Sequence, residues 1–303
     1  MRSHHRLLFL CVLAMAGVLV AATAAPRVQA QAKGRTRDVY VTITDKSGAP
    51  AKDVAITDLT IREDNQAREV LAVGPAKAPM RIALLVDNSQ ATQPMTNEVR
   101  VAVSGFINAI FKASPDSTMS LATFGDRPTP VQDFTNAASV LVRAAQKMFP
   151  MSGSGAYLTD AVLDAAKALR KDPGPRQMIV AFVNESGQEF SNSGRQQVLD
   201  AVRFANASLW VVALQDTMTN VDSQEARDRS ALIGEGTAQS GGTTISLLNR
   251  LSLPAKMAEL AGILASQLQV TYGRPEQIIP PKKIDIQLNR KDLKLTAPRW
   301  AGQ

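Results

Sequence analysis

The chain has 303 residues, of which 45% are hydrophobic, 20% charged and 5% aromatic, and its formal net charge at pH 7 is +7. These fractions are typical of a globular protein and exclude a collagenous or disordered chain. The only cysteine, Cys11, and both histidines, His4 and His5, lie within the first thirty residues. Because the rest of the chain contains no His and no Cys, it cannot form disulfides, thiolate nucleophiles, zinc sites with His or Cys ligands, or a catalytic triad with a histidine base.

Residues 1–30 have the organisation of a secretory signal peptide. A basic head that includes Arg2 and Arg6 precedes an apolar run from Leu7 to Ala25, and the small-residue site Val28-Gln29-Ala30 follows. We expect cleavage after Ala30 and an exported protein that is periplasmic or secreted. The alternative is an uncleaved segment that anchors the protein in a membrane, because an apolar run of this length can just span a bilayer.

A run of short β segments without helices follows, from residue 31 to residue 79. Residues 38–44 alternate polar and apolar side chains, which is the period of a half-buried strand. Further extended segments are predicted at 59–62 and 69–73.

From Met80 onward, apolar runs alternate with helical periodicity. The first run, 81–87, is typical of a strand buried on both faces of a parallel sheet. After it, helices are predicted at 99–110, 137–148, 159–170, 196–205 and 253–268, and strands at 118–124, 177–183, 208–214 and 242–248. This alternation predicts βαβ crossovers and a doubly wound, mostly parallel sheet of the α/β class over residues 80–274.

The tail, residues 275–303, returns to strand-like alternation at 283–289 and 293–296. An isolated hairpin buries too little apolar surface to be stable alone. We therefore expect the segments 31–79 and 275–303 to pair in one small β unit, with the α/β domain inserted between them. The basic residues of the tail are interpreted as the solvent face of an edge strand, so no nucleic-acid partner is predicted.

The candidate site follows from the sheet, because the functional crevice of an open α/β sheet lies at the carboxyl ends of its strands. Three polar segments stand there, at 87–91, 152–158 and 184–189. Glu185 and Glu189 would form a paired-carboxylate acid/base site in one interpretation. The preferred interpretation is that both are solvated loop carboxylates, so no catalytic residue is predicted.

At these residues the sequence resembles the von Willebrand factor A domain family. The resemblance rests on Asp87-x-Ser89 after a buried strand, on the glycine-rich approach to the helix that contains Asp160-Ala161-Val162, and on the flanking β segments. It covers nearly all of the chain after the signal segment. The sequence is more narrowly similar to exported, acidobacterial-type members with β segments on both sides of the A domain, which Tyr272 also fits.

The resemblance implies a metal-ion-dependent adhesion site that holds Mg²⁺ through hard oxygen ligands. Such a site uses an Asp-x-Ser-x-Ser loop, a Thr in the glycine-rich loop and an Asp after a later strand. Here Asp87 and Ser89 match, Ala91 and Ala156 replace the second Ser and the Thr, and Glu185, or else Asn184, is nearest to the late Asp. Because the alanines supply no oxygen, we expect a degenerate site of Asp87, Ser89 and Glu185 in which Mg²⁺ binds weakly or not at all. Asp87 would otherwise cap the following loop through backbone N–H groups.

Two function hypotheses follow. The favoured one is an exported, non-enzymatic protein–protein interaction module without a cofactor apart from weakly bound Mg²⁺. Its protein or peptide partner is expected to contact Asp87, Asn88, Ser89, Gln90, Ser154, Gly155 and Glu185. The alternative is a small-molecule binding protein or hydrolase that uses the crevice at Asp87 and Glu185. A deep pocket there favours the alternative, and a flat face favours the interaction module.

Overall fold

The structure, a computed structural model, describes residues 35–302 except Lys52, residues 216–221 and residues 277–278. The predicted signal peptide lies outside the described residues. From Arg35 onward the chain folds as one unit. Within the described ranges, no helix combines the length and the apolar character needed to cross a membrane.

Strands and helices alternate closely as the hydrophobic pattern predicts. The strands are β1 (Arg35–Asp45), β2 (Leu59–Glu63), β3 (Gln66–Arg68), β4 (Val70–Pro75), β5 (Met80–Val86), β6 (Thr118–Thr123), β7 (Thr129–Thr135), β8 (Arg176–Asn184), β9 (Ala207–Leu214), β10 (Thr244–Leu247), β11 (Leu268–Arg274), β12 (Ile284–Leu288) and β13 (Leu293–Thr296). The helices are α1 (Thr96–Ala113), α2 (Ala138–Gln146), α3 (Leu158–Lys171), α4 (Arg195–Phe204), α5 (Gln224–Ala231), α6 (Thr237–Ser240) and α7 (Leu253–Ala265). A short 3₁₀ helix, Gln90–Met95, precedes α1.

The central sheet has six strands in the order β10-β9-β8-β5-β6-β7. The first five run parallel, and β7 pairs antiparallel with β6. Leu84 of β5 lies between Leu121 of β6 and Val180 of β8, so the most apolar strands occupy the middle of the sheet. The predicted doubly wound α/β class is confirmed. The edge strand β7 was not predicted, because its side chains are exposed or half-buried and it contains Pro130.

Helices cover both faces of this sheet. On one face, α1, α2 and α7 pack against alternate residues of β5, with Phe106 and Leu260 in the same core as Leu84. On the other face, α3 and α4 pack around Leu85. Each helix presents one apolar stripe to the sheet, which is the pattern that the helical periodicity predicts.

The terminal β segments form the predicted β unit. One sheet has the order β13-β1-β11-β4 and a second has the order β12-β2-β3. Ile43 of β1 pairs with Leu295 of β13, and Ile286 of β12 pairs with Ile61 of β2. The two sheets share one apolar core, so segments more than 200 residues apart in sequence stabilise each other.

Strand β11 belongs to the four-stranded sheet of the β unit, not to the central sheet. It pairs antiparallel with β1 and with β4, and Val270 lies between Val39 and Val73. The predicted domain boundary at residue 274 places this strand in the α/β domain, and the helix was expected to continue to Leu268. Val270 and Tyr272 are two residues apart and both are buried in the core shared with the sheet of β12, β2 and β3. This alternation of burial is that of a strand with one face on a core.

Candidate functional site

Asp87 connects the ends of the two central strands, β5 and β8. Its side chain is buried; Oδ1 accepts a hydrogen bond from the Ser89 N–H at 2.8 Å, and Oδ2 accepts one from the Asn184 N–H at 3.0 Å. Burial raises the pKa of Asp87, and these hydrogen bonds oppose the rise. Asp87 thus caps the loop that follows β5.

The loop after Asp87 is packed tightly against the loop after β8. Ser89 is buried, and its Oγ has no hydrogen-bond partner among the described residues. A Cβ built on Gly187 would lie 3.3 Å from that Oγ and 3.4 Å from the Ala91 methyl group. Thr92 Oγ1 donates to the Ser89 carbonyl at 2.8 Å. A methyl group therefore fills the position where the implied metal site has its second serine.

Asn184 turns its side chain into this loop. Its Nδ2 donates to the Ala91 carbonyl at 2.8 Å, and its Oδ1 accepts from the Ser186 backbone N–H and hydroxyl. The Glu185 carbonyl accepts from Arg229 Nη2 at 3.2 Å on the other side of the loop. The implied metal site has an Asp after the later strand. Of the two residues that could take this position here, Asn184 is shown in contact with Ala91.

The glycine-rich segment forms the second wall of the site. Gln90 N–H donates to the Ser154 carbonyl at 3.3 Å, and Gln90 Oε1 accepts from the Gly153 N–H at 2.8 Å. Ala156 is fully buried, and its carbonyl accepts from the Phe190 N–H at 2.9 Å. A Cβ on Gly155 would lie 2.3 Å from the Phe190 ring, so only glycine leaves room for that ring.

The oxygen atoms that could hold a metal ion are few. Asp87 and Ser89 carry side-chain oxygens, whereas Ala91 and Ala156 carry none. Both carboxylate oxygens of Asp87 already accept backbone N–H groups. Thr159 Oγ1, another possible substitute, donates to the Ser193 carbonyl at 2.8 Å. Among the described residues, no group of three Asp, Glu, His or Cys side chains is placed to bind a metal.

Glu189 is a functional candidate whose environment sequence reasoning misjudged. The side chain is fully buried and not solvated: Oε1 accepts from the Leu158 N–H at 2.8 Å and from the Ser191 hydroxyl, and Oε2 lies 3.9 Å from Nη1 of Arg229. Burial raises the pKa of Glu189 to about 7. No local pattern indicated the contact, because Arg229 lies forty residues away on α5.

Exposed apolar side chains surround these loops. Phe149 is 64% exposed, Phe190 47% and Met151 37%. They are joined through the site: Asn88 Nδ2 donates to the Phe149 carbonyl at 3.2 Å, the Met151 N–H donates to the Asn88 carbonyl at 2.7 Å, and Phe190 covers Gly155. We call these three residues the apolar rim. Met151 is partly exposed because it lies in the loop that follows α2.

The partner-binding residues expected from the sequence are therefore brought together, but they are not equally accessible. Asp87, Ser89 and Gly155 are buried, Asn88, Ser154 and Glu185 are partly buried, and Gln90 is exposed. The buried side chains shape the loops, and the rim presents the accessible surface.

Similar solved structures share low sequence identity with this chain. They include the PilB minor pilin from Streptococcus sanguinis, 11% identical over 63% of this chain and 62% of that chain, with a TM-score of 0.44. The vWF domain of the type V pili tip protein Mfa5 from Porphyromonas gingivalis is 10% identical over 62% of this chain and 96% of that chain, with a TM-score of 0.46. Proximal thread matrix protein 1 from the mussel byssus is 12% identical over 68% of this chain and 50% of that chain, with a TM-score of 0.47. The chain thus spans less than two thirds of the pilin and half of the byssus protein.

A comparison with curated proteins finds no match. The family model of the von Willebrand factor type A domain matches residues 82–188, a range that contains Asp87, Ser89, Ala156 and Asn184. The matched part includes the central strands and most of the site, and it is similar to the von Willebrand factor type A domain family.

Proposed function

We propose that the protein is an exported, non-enzymatic interaction module that binds a protein or peptide through the apolar rim. The observation that carries the proposal is the exposure of Phe149, Met151 and Phe190 around one set of loops at the carboxyl end of the sheet. Large apolar side chains exposed as a group mark interaction surfaces, because burying a fully exposed one contributes about 1.5–3 kcal/mol and a partly exposed one a share of that.

The rim is held in place before any partner arrives. Phe190 lies over Gly155 and has its ring centroid 6.2 Å from that of Tyr157. The loop that carries Phe149 and Met151 is hydrogen-bonded to Asn88. A loop whose backbone is fixed in this way loses little conformational entropy on binding, which favours its use as an interface anchor.

The space beside Asp87 argues against the alternative hydrolase or small-molecule binder. The cavity lined by Asp87, Asn88 and Thr92 has a volume of about 10 Å³. That is room for one water molecule and not for a substrate. The absence of His and Cys after residue 30 also removes a histidine base and a thiolate nucleophile.

Partner binding is proposed to be independent of metal. The residues present do not fit the adhesion-site ion, because Ala91 and Ala156 supply no ligand oxygen and Asp87 is engaged by backbone N–H groups. A bound Mg²⁺ would take its last ligand from a carboxylate of the partner. Without the ion, the partner needs no such carboxylate. Recognition proceeds through apolar contact and hydrogen bonds.

Export rests on the N-terminal sequence pattern alone. Cleavage after Ala30 would give a mature N-terminus at Gln31. Intact-mass measurement of protein from the cell envelope fraction checks this, and a mass that retains Met1 to Ala30 contradicts it.

A site-specific photocrosslinker tests the docking surface. p-Benzoylphenylalanine is placed at Phe149 or Phe190 in the cells that naturally make the protein, and at Phe204 as the control. Phe204 is 46% exposed, close to the 47% of Phe190, but it ends α4 away from the rim. We expect one protein adduct at positions 149 and 190, its absence at 204, and its persistence in EDTA. The same adducts at all three positions, or none at 149 and 190, would refute the proposal.

A further inference from the structure

Two leucines at the carboxyl end of the central sheet are more exposed than any residue of the apolar rim. Leu248 directly follows β10 and is 84% exposed, and Leu251, just before α7, is 68% exposed. The turn that carries them is held by its own hydrogen bonds: Asn249 Oδ1 accepts from the Leu251 N–H at 2.9 Å, and the Ser252 hydroxyl donates to the Asn249 carbonyl at 2.6 Å. We call residues 248–252 the leucine turn. Two neighbouring leucines that an ordered turn leaves in solvent are an arrangement typical of a binding surface.

The leucine turn and the apolar rim flank the amino end of α1. From one side, Arg250 Nη1 donates to the Pro94 carbonyl at 2.8 Å, and Arg250 Nε lies 3.5 Å from Glu98 Oε1. From the other side, Arg100 Nε donates at 2.8 Å to the carbonyl of Met148, the residue that precedes the rim. Helix α1 packs against both α7 and α2, and the three helices share one core. The two apolar groups therefore lie at the same end of one layer of helices, on either side of α1.

The two groups are separated by a distance that a short helix can span. Packed helices are about 8–10 Å apart, so Leu251 at the start of α7 and Phe149 after the end of α2 are about 16–20 Å apart. A helix rises about 1.5 Å per residue and covers this distance in about 11–13 residues, which lets the apolar stripe of one helix contact both groups. An extended chain would cover it in about five or six residues.

The surface between the two groups favours a helix over an extended chain. It runs across the ends of the strands, so within the described ranges no strand edge lies along it to pair with a peptide backbone. Backbone N–H groups of its loops are already engaged: that of Met151 donates to the Asn88 carbonyl at 2.7 Å, and that of Gly153 donates to Gln90 Oε1 at 2.8 Å. A helix satisfies its own backbone and needs only side-chain contacts from the surface.

The charge beside the two apolar groups is positive. Arg250 is paired with Glu98, whereas Arg100, which is partly exposed, forms no ion pair with a described carboxylate. Lys147, two residues before Phe149, is exposed and is likewise in no ion pair with a described carboxylate. These two cations favour Asp or Glu side chains on the docking segment. Because exposed ion pairs contribute little to affinity, their main effect is on the orientation of that segment.

We propose that the segment that docks here is an amphipathic helix with acidic residues beside its apolar stripe. One end of the stripe contacts Leu248 and Leu251, and the other end contacts Phe149 and Met151. The inference rests on the proposed function, because it takes the apolar rim to be a docking surface. It extends that surface across the end of α1 and assigns the chemistry of the segment that binds.

Photocrosslinking from both ends of the surface tests the helix. p-Benzoylphenylalanine is placed at Leu251 or Phe149 of the full chain in the cells that make it, and at Leu71, a leucine that is 41% exposed on β4, as the control. Mass spectrometry then locates the crosslinked residues of the adduct. We expect positions 251 and 149 to capture one segment of one protein at residues about 11–13 apart, with Asp or Glu between them, and position 71 not to capture it. Crosslinked residues about five or six apart, or a segment without Asp and Glu, would overturn the proposal.

The same experiment separates this inference from the proposed function. An adduct at Phe149 and Phe190 that does not form at Leu251 overturns the extended surface and leaves the rim as the docking site. If no adduct forms at any of the three positions, both the inference and the proposed function are wrong.

The double variant Leu248→Asn, Leu251→Asn measures the contribution of the leucine turn. Both side chains are exposed, so the midpoint of thermal unfolding should not change. With p-benzoylphenylalanine at Phe149, we expect the yield of the adduct to fall about tenfold, because the apolar contact of two leucines is lost. Leu71→Asn is the matched control and should leave the yield within about twofold. Equal yields in the two variants would overturn the role of the leucine turn.

Discussion

Oε2 of Glu189 lies 3.9 Å from Nη1 of Arg229, and both side chains are buried beneath the loop that carries Phe190. Arg229 also donates to the Gly187 carbonyl at 2.7 Å, and Glu189 accepts from the first N–H of α3, that of Leu158, at 2.8 Å. The pair thus ties the loop after β8 to α5 and α3.

The stability of the protein should decrease as the pH rises through neutrality. Burial raises the pKa of Glu189 from 4.5 to about 7, so between these values the native state keeps a proton that the unfolded chain releases. The free energy of unfolding should therefore be highest near pH 4.5 and fall by no more than about 3 kcal/mol up to pH 7. Thermal unfolding across this range measures the change.

Glu189→Gln should reduce that pH dependence, because glutamine keeps an acceptor for Leu158 and cannot ionise. Part of the dependence should remain, since burial also raises the pKa of Asp87. Glu235→Gln, at an exposed position, is the control and should behave as the unmodified protein. If Glu189→Gln and Glu235→Gln give the same pH profile as the unmodified protein, the assignment to Glu189 is wrong.

Gly242→Ala should destabilise the protein strongly. A Cβ at this position would lie 1.8 Å from the backbone oxygen of Leu209, a central residue of β9 that cannot move away. We expect a loss of about 2–4 kcal/mol in the free energy of unfolding, measured by chemical denaturation.

Gly262→Ala should have the opposite effect. Gly262 is in α7, where an added Cβ meets nothing within 4 Å. Alanine is the better helix former, so the free energy of unfolding should rise by about 0.5–1 kcal/mol in the same denaturation experiment. A loss at residue 262, or no loss at residue 242, would contradict the packing described for these two glycines.

Restoring ligand oxygens should create a metal site. The unmodified protein is expected to bind Mg²⁺ weakly or not at all, and Ala91→Ser with Ala156→Thr should raise the affinity by more than the two single changes predict together, since ligands of one ion are coupled. Titration calorimetry measures this. Tight Mg²⁺ binding by the unmodified chain that is lost in Asp87→Ala would show that other oxygens substitute for the missing ones.

Removal of the C-terminal β segment should loosen the N-terminal one. Deleting residues 281–303 takes away β13, which pairs with Thr42–Asp45, and β12, which pairs with β2. Hydrogen exchange should become faster at Ile43 and Ile61, while Leu84 in the α/β sheet stays protected. Unchanged exchange at Ile43 and Ile61 would mean that the shared core does not depend on the tail.

Local pattern accounts for most of the secondary structure. The apolar run of β5 and the alternation in β1, β12 and β13 each predicted a strand, because the period of burial along a strand can be seen in the sequence itself. Strand β11 was missed since Leu268 also extends the helical period of α7. The same limit applies to β7, whose exposed side chains carry no alternating pattern.

At the site, the sequence identified the loops but not their exposure. Asp87, Ser89 and Ala91 follow a strand that had to be central, so their place at the carboxyl edge was predictable. The exposure of Phe149 and the burial of Glu189 were not, because each depends on how a loop is held by residues far along the chain.

The sequence by itself determined the α/β class, most of the strands and helices, the pairing of the two terminal β segments, and the loss of oxygen ligands at Ala91 and Ala156. Only the tertiary structure decided that Arg229 reaches Glu189 and that Arg250 reaches Glu98. The physical reason is the distance along the chain between the interacting groups. Periodicity reports how each residue is oriented relative to its neighbours in the chain, whereas the burial and pairing of a charge depend on groups that approach it only when distant strands and helices pack together.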